Sequence, residues 1–275
     1  MEEKKRKYKY LILAIVIAVF VVFSVLYYVY WSIIKYVLNT TEGAEFAIVS
    51  AAIRIVILSV MSFILFRKWF KQEVIYTSDA YFLFALFFMI LTIGKLYDLL
   101  YYLILISDAF GELFMLMLCK VRYYIIIINI LPILYIGLEA TMTFVSVYVK
   151  DLSKKQFSKI RLRIIFIILV VLTIIITLAT SITFLINVLP FFTLAIFVMI
   201  AIMFLFMYKN KRLSQANGLI IGIAFLYFII TNLLRSLISV IALTQPSFIV
   251  VADVLDISAN VLMFIGFISK PSYAK

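Results

Sequence analysis

The chain has 275 residues but contains no histidine and a single cysteine, Cys119. The absence of histidine excludes histidine-ligated zinc or haem and histidine-based acid–base catalysis. A single cysteine excludes an intramolecular disulfide and a cysteine metal cluster, so we expect no cofactor. Charged residues form only 14% of the chain, against about 25% in soluble domains, whereas hydrophobic residues form 67%. A water-soluble fold and a disordered chain are both excluded.

Long hydrophobic runs account for this composition. A bilayer core about 30 Å thick is crossed by a helix of about 20 apolar residues. Eight segments reach this length, at 10–38, 46–66, 79–106, 113–148, 163–187, 190–208, 218–243 and 247–269. Only Pro190 and its neighbours separate the fifth span from the sixth, which predicts a tight outer hairpin there. The eighth segment carries Asp253 and Asp256, so the alternative is a re-entrant segment in a seven-span protein.

Lysine and arginine are distributed unevenly between the two sets of connections. The terminal tails and the loops after spans two, four and six hold 19 of the 25 basic residues. The opposite loops hold no basic residue and carry only Glu42, Glu45, Asp108 and Glu112. The positive-inside rule therefore places both termini in the cytoplasm. The formal charge of +12 reflects this topology and contacts with lipid headgroups, so nucleic acid is not an expected partner.

These patterns predict an all-α fold, a polytopic integral membrane helical bundle of about eight transmembrane helices with both termini cytoplasmic. A basic cytoplasmic tail (1–9), one bundle (10–269) and a short cytoplasmic tail (270–275) are the expected domain organisation. The longest loop, 149–162, is interpreted as a basic interfacial connector. Span six is almost wholly apolar and is expected to face lipid. We expect the protein to lie in the plasma membrane.

Ten charged residues remain inside the predicted spans, where a charge usually faces the bundle interior, a cavity or another charge. Lys35 lies near the outer rim, and only Glu139 falls in the inner half. Counting 1.5 Å per residue places the other eight in one outer-half layer, with most of them roughly 9–14 Å deep. Five are basic and three acidic: Arg54, Lys95, Lys120, Arg122 and Arg235 with Asp98, Asp253 and Asp256.

The excess of two positive charges in this layer predicts an outward-facing polar cavity for a small anionic or zwitterionic solute. The five basic residues are the candidate ligand-binding residues, because guanidinium groups bind carboxylates and phosphates through paired hydrogen bonds. Asp98, Asp253 and Asp256, with the deeper Glu139, are candidates to balance charge or to bind a coupling ion. One alternative is a static salt-bridge network between helices. Another places Lys120 and Arg122 at the outer headgroups, because span four is long.

Three functions fit these features: a transporter or channel-like protein, a membrane sensor or receptor that signals through a partner, and a non-catalytic assembly protein. An enzyme is not expected, because without histidine only carboxylates could form a nucleophile–base pair. Asp98 and Asp253 lack the Gly-x-Gly-Asp and Pro-Ala-Leu signatures of presenilin-like intramembrane proteases.

Small-residue pairs at Ala14/Ala18, Ala47/Ala51 and Gly218/Gly222 predict close helix packing, with a homo-oligomer contact as the alternative.

The predicted topology can be tested by labelling single cysteines with an impermeant thiol reagent in a Cys119→Ser background. Cysteines at Thr41 and Gln245 should react from outside the cell, and cysteines at Lys155 and Lys275 only after the cytoplasmic face is exposed. Reaction of the Gln245 and Lys275 positions from the same face would show that the eighth span does not cross.

Overall fold

The computed structural model describes residues 2–148, 153–242 and 248–274, and these residues form helices with no strand. Within the described ranges nine α-helices follow one another: α1 (Glu2–Val29), α2 (Trp31–Thr40), α3 (Ala44–Phe70), α4 (Ala80–Ser107), α5 (Glu112–Tyr148), α6 (Lys154–Leu178), α7 (Ile182–Lys209), α8 (Gly218–Ala242) and α9 (Ile249–Ile268). All except α2 are long and apolar enough to cross a membrane. The predicted all-α polytopic membrane bundle is confirmed.

Six helices form a closed ring in which each contacts its neighbours, in the order α3, α4, α5, α7, α8, α9 and back to α3. Helices α1 and α2 pack against α4, and α6 packs against α5. Of the residues in the most apolar stretch of each helix, only 6% are buried in α1 and 11% in α6. The corresponding fraction is 28% or more in every ring helix. Helices α1 and α6 therefore present most of their surface to lipid.

The expectation that the sixth span faces lipid is wrong for one side of α7, because this helix belongs to the ring. Phe191 and Ile202 are exposed, whereas Ile200 and Phe204 on the ring side are fully buried. A helix that is apolar on all sides carries no sequence signal that separates its protein-facing side from its lipid-facing side.

The hairpin predicted at Pro190 is also wrong. Helix α7 already begins at Ile182, and Ser181 caps it by accepting a hydrogen bond from the backbone N–H of Phe184. Pro190 lies inside α7. Proline is tolerated within membrane helices, where neighbouring groups can satisfy the freed backbone carbonyl. The turn between α6 and α7 is therefore the short segment 179–181.

The two remaining differences concern the ends of the first and fifth spans. Span one is divided at Tyr30, and the following helix α2 buries Ile34 and Val37 while Lys35 stays exposed. The predicted connector at 149–162 is helical from Lys154 onward, because Ser153 and Gln156 form a capping box that starts α6; residues 149–152 lie outside the described residues.

Both termini lie at the same end of the bundle. The Lys5 ammonium donates a hydrogen bond to the carbonyl of Gln72, in the α3–α4 connection, at 2.6 Å. The Tyr273 hydroxyl donates to the carbonyl of Leu213, in the α7–α8 connection, at 2.9 Å. We name this basic end the inner end, following the predicted orientation, and the opposite end the outer end.

Helix α9 crosses the whole bundle. At the inner end the backbone N–H of Asn217 donates to the carbonyl of Gly266 at 2.8 Å. In the outer half Arg235 of α8 contacts Asp253 of α9. The 20 residues of α9 extend over about 30 Å at 1.5 Å per residue, which is the thickness of a bilayer core. The seven-span alternative is wrong.

Phenylalanines fill the inner half of the ring. This phenylalanine column comprises Phe84, Phe87, Phe88, Phe197, Phe204, Phe225, Phe228, Phe264 and Phe267, which come from α4, α7, α8 and α9. Phe84 and Phe267 stack with their ring centroids 3.7 Å apart, and Phe204 stacks on Phe225 at 6.1 Å. The contacts continue from Phe225 to Phe197 and from Phe197 to Phe228. The column therefore runs from the middle of the ring to the inner end.

The predicted close packing at Gly218 and Gly222 is present between α8 and α7. A Cβ atom on Gly218 would lie 2.7 Å from the backbone oxygen of Phe204. Ala47 and Ala51 are buried, whereas Ala14 and Ala18 are exposed on α1. The homo-oligomer contact at Ala14 and Ala18 stays a prediction.

We expect Gly218→Ala to lower the free energy of unfolding by about 1–3 kcal/mol, the usual cost of overpacking, because the backbone of α7 must move away. Gly111→Ala is the matched control, since its Cβ would meet nothing within 4 Å, and it should change stability by less than about 0.5 kcal/mol. Unfolding in detergent measures both. Equal effects would contradict the close α7–α8 contact.

Candidate functional site

Seven charged side chains from five ring helices meet in the outer half of the bundle. This charge network consists of Arg54 (α3), Lys95 and Asp98 (α4), Arg122 (α5), Arg235 (α8), and Asp253 and Asp256 (α9). All seven belong to the layer that depth counting predicts. Their assembly follows from matching depths on helices that the ring brings together.

Asp253 and Asp256 form the centre of the network. They are three residues apart on one face of α9, and each side chain is only 2% exposed. The Nη1 atom of Arg54 lies 2.5 Å from Asp253 Oδ1 and 3.1 Å from Asp256 Oδ2. One turn before Arg54, the hydroxyl of Ser50 donates to Asp253 Oδ2 at 2.7 Å. Helix α3 thus supplies the closest partners of Asp253, whereas the closest partner of Asp256 is Arg235 of α8.

Arg235 and Lys95 complete the surroundings of these carboxylates. Arg235 Nη1 lies 3.3 Å from Asp253 Oδ1 and also contacts Asp256 Oδ2. Lys95 Nζ lies 3.6 Å from Asp256 Oδ2. Arg235 of α8 therefore pairs with both acidic residues of the following helix α9.

Asp98 links α4 to α5. Its Oδ2 lies 3.3 Å from Lys95 Nζ, and its Oδ1 accepts a hydrogen bond from Arg122 Nε at 2.8 Å. Arg122 is the most exposed cation of the network, at 30%, and its guanidinium carbon lies 5.5 Å from the ring centre of Tyr101. Within the described part of the chain it is bonded to Asp98 through Nε, so its two terminal nitrogens are left for another partner.

Lys120 and Glu139, the other two predicted site residues, lie outside the network. Lys120 Nζ donates to the carbonyl of Thr177, at the outer end of α6, at 3.0 Å. Glu139 lies in the inner half, where its Oε1 is 3.4 Å from Arg161 Nη1 of α6 and its side chain is 45% exposed. Both side chains therefore link α5 to α6, and their predicted roles in binding or coupling stay predictions.

The formal charge of the network is +1, from four basic and three acidic side chains. This is one less than the predicted excess, because the long side chain of Lys120 is directed to α6 instead of the ring interior. Arg122, for which headgroup contact was the alternative, instead joins the network.

A cavity of about 520 Å³ lies beside the network, inside the ring. It falls within the usual range of ligand pockets, about 300–1,000 Å³. All network residues except Asp256 line it, together with side chains from all six ring helices. The charges therefore form a wall of an open space and are not a sealed, fully packed core.

Tyrosines, residues of α7 and an asparagine complete the lining of the cavity. The tyrosines come from α4 and α5: Tyr97, Tyr101, Tyr102 and Tyr123. Residues of α7 and Asn129 of α5 were not predicted. Asn129 follows Arg122 by seven residues, so it shares its helix face, and that spacing was the one available signal.

Comparison of the chain with protein-family models, with curated proteins and with solved structures finds no match. The fold defines a multi-pass helical membrane protein, and the function has to be argued from the charge network and the cavity.

The pairing at the centre of the network can be tested with Arg54→Met. We expect the variant to lose about 3–5 kcal/mol of stability, because it removes the closest cation of Asp253 and one of the cations in contact with Asp256. Adding Asp253→Asn should restore part of the loss, since one of those carboxylates is then neutral. Lys159→Met, at an exposed position of α6, is the control and should have little effect. A double variant less stable than Arg54→Met, measured by unfolding in detergent, would contradict the pairing.

Proposed function

We propose that the protein is a transporter or channel-like protein of the plasma membrane whose outer-half cavity binds a small anionic or zwitterionic solute. The observation that carries this proposal is the cavity of about 520 Å³ with a charge network of formal charge +1 as its wall. A bound monoanion would neutralise the excess charge of the site.

Arg122 is the proposed anchor for the anionic group. Its Nε is engaged by Asp98, and its Nη1 and Nη2 can form the two parallel hydrogen bonds that a carboxylate or phosphate accepts. Asp98 also lines the cavity. An ammonium group of a zwitterionic solute could therefore bind beside the anionic group, at Asp98.

The phenylalanine column favours alternating access over a permanently open pore. Its stacked rings occupy the inner half of the ring, directly below the cavity. A solute held in the cavity would reach the cytoplasm only after the ring helices rearrange, as in transporters whose binding site lies between helices near the bilayer centre.

A membrane receptor is the second candidate, and the bonding of α9 favours it. The outer part of this helix carries Asp253, and its inner end is bonded through Gly266 to Asn217 of the α7–α8 connection. A shift of α9 on ligand binding would therefore be transmitted to the cytoplasmic surface, where a partner could detect it. The third candidate, an assembly protein, is favoured by the pairing of all three network carboxylates.

A screen of thermal unfolding in non-ionic detergent tests for the ligand site. Carboxylates, phosphates, nucleotides and anionic lipids would be added, and a ligand at a hundred times its dissociation constant should stabilise the protein by about 2.7 kcal/mol. Arg122→Gln should abolish the effect. Lys155→Gln is the control, since Lys155 is exposed near the inner end of α6, and should keep it.

The same screen separates the candidate functions. A ligand that stabilises the protein and accumulates in proteoliposomes but not in protein-free liposomes supports the transporter. A ligand that stabilises it but does not enter the vesicles supports the receptor. If no compound stabilises the protein and Arg122→Gln only lowers its stability, the transporter and the receptor are both contradicted. That result supports the assembly role.

A further inference from the structure

The cavity has two zones of different chemistry along the membrane normal. The charge network forms a polar band on its outer side. One to two turns further toward the inner end, the lining residues are mainly apolar, and we name them the floor: Ile90, Leu91, Ile125, Ile126, Phe197 and Phe228. An inorganic anion or a small hydrophilic acid would contact the polar band and would leave the floor uncovered.

The floor is a preformed surface for an apolar group. Phe197 and Phe228 pack edge to face with ring centroids 5.2 Å apart, which fixes both rings at the top of the phenylalanine column. Burial of apolar area against such rigid side chains is favourable and needs little ordering of the protein.

Asn129 is a polar lining residue next to the floor. It is 8% exposed and lines the cavity, and its Oδ1 has no hydrogen-bond partner among the described residues. It lies seven residues from Arg122 on α5, about 10 Å further along the helix axis on the same face. A buried amide oxygen without a partner is unfavourable, and a hydrogen-bond donor on a ligand would satisfy it.

We infer that the ligand is an organic anion with an apolar body and a hydrogen-bond donor at its far end. Its anionic group binds the terminal nitrogens of Arg122, its body covers Phe197 and Phe228, and its donor reaches Asn129. This inference rests on the proposed function, because it specifies the solute class for the same cavity.

The ligand enters from the aqueous phase at the outer end. Neighbouring ring helices contact each other all the way round, so the ring separates the cavity from the lipid. The polar band, with its formal charge of +1, also lies toward the outer end, where it can bind the charged group of a soluble amphipathic anion. Lipids with anionic headgroups share the chemistry of an anion on an apolar body and form a separate arm of the test.

The first experiment measures the affinity of purified protein for acetate, butyrate and hexanoate, with inorganic phosphate as the reference. We expect about fourfold tighter binding for each added methylene group, the value for burial of one CH₂ group. Arg122→Gln should weaken all of these acids, and Lys155→Gln none. Binding that strengthens with chain length but is not weakened by Arg122→Gln would indicate partition into the micelle and would overturn the inference.

The second experiment tests Asn129 with two acids that differ by one hydroxyl group, 3-phenylpropionate and 3-(4-hydroxyphenyl)propionate. We expect the wild-type protein to bind the hydroxylated acid about 2–10-fold more tightly. Asn129→Leu should remove this preference and keep the affinity for 3-phenylpropionate. Asn187→Leu, at an exposed position of α7, is the matched control and should keep the preference. If Asn129→Leu does not fold, absence of the preference in the wild-type protein still overturns the role of Asn129.

The outcomes separate this inference from the proposed function. Arg122-dependent binding of phosphate and acetate without any gain from a longer chain overturns the inference and leaves the proposed function standing. No Arg122-dependent binding of any anion overturns both. The protein can also be tested in phosphatidylcholine nanodiscs. If added phosphatidylglycerol stabilises it in an Arg122-dependent manner and hexanoate does not, the site binds a lipid, and the inference of a soluble ligand is overturned.

Discussion

The pairing of Asp253 and Asp256 with Arg54 is the interaction on which the outer half of the bundle depends. Two carboxylates on one face of α9, each 2% exposed, are stable in a membrane only with cations in direct contact. Arg54 supplies that contact from α3, and Arg235 supplies it from α8. Both neighbours of α9 in the ring are thus held to it by charge, and the ring closes between its last helix and its first.

The charge network has a net positive charge, so it is compatible both with a structural salt-bridge network and with a ligand-binding site. Its acidic groups are all paired, as a purely structural network requires, yet one positive charge remains. The excess falls beside a cavity, where Arg122 is the most exposed of the four cations. A network that ties helices together can therefore also be a binding site, because the helices position the cation that is left for a ligand.

The sequence predicts the number of spans, the all-helical fold and the members of the charge network. Hydropathy and depth are obtained by counting residues along the chain, without knowing which helices are neighbours. Seven of the eight residues in the predicted layer meet in the ring. The exception, Lys120, has the expected depth but bonds to Thr177, because depth does not determine on which side of a helix a residue finds its neighbours. The order of helices in the ring could not be predicted for the same reason. Nor could the position of the α6–α7 turn, because Pro190 is compatible both with a turn and with a membrane helix.

The contacts of Asp98 suggest how occupation of the cavity would change the ring. An anion at the terminal nitrogens of Arg122 would share the guanidinium group with Asp98 and weaken the Arg122–Asp98 ion pair, and Asp98 shares Lys95 with Asp256. If Asp98 turns from Arg122 toward Lys95, it weakens the hold of Lys95 on Asp256 and thereby the connection between α4 and α9. The phenylalanine column also joins these two helices, through Phe84 and Phe267. The exchange of ion pairs in the outer half therefore acts on the same two helices whose separation would open the inner half.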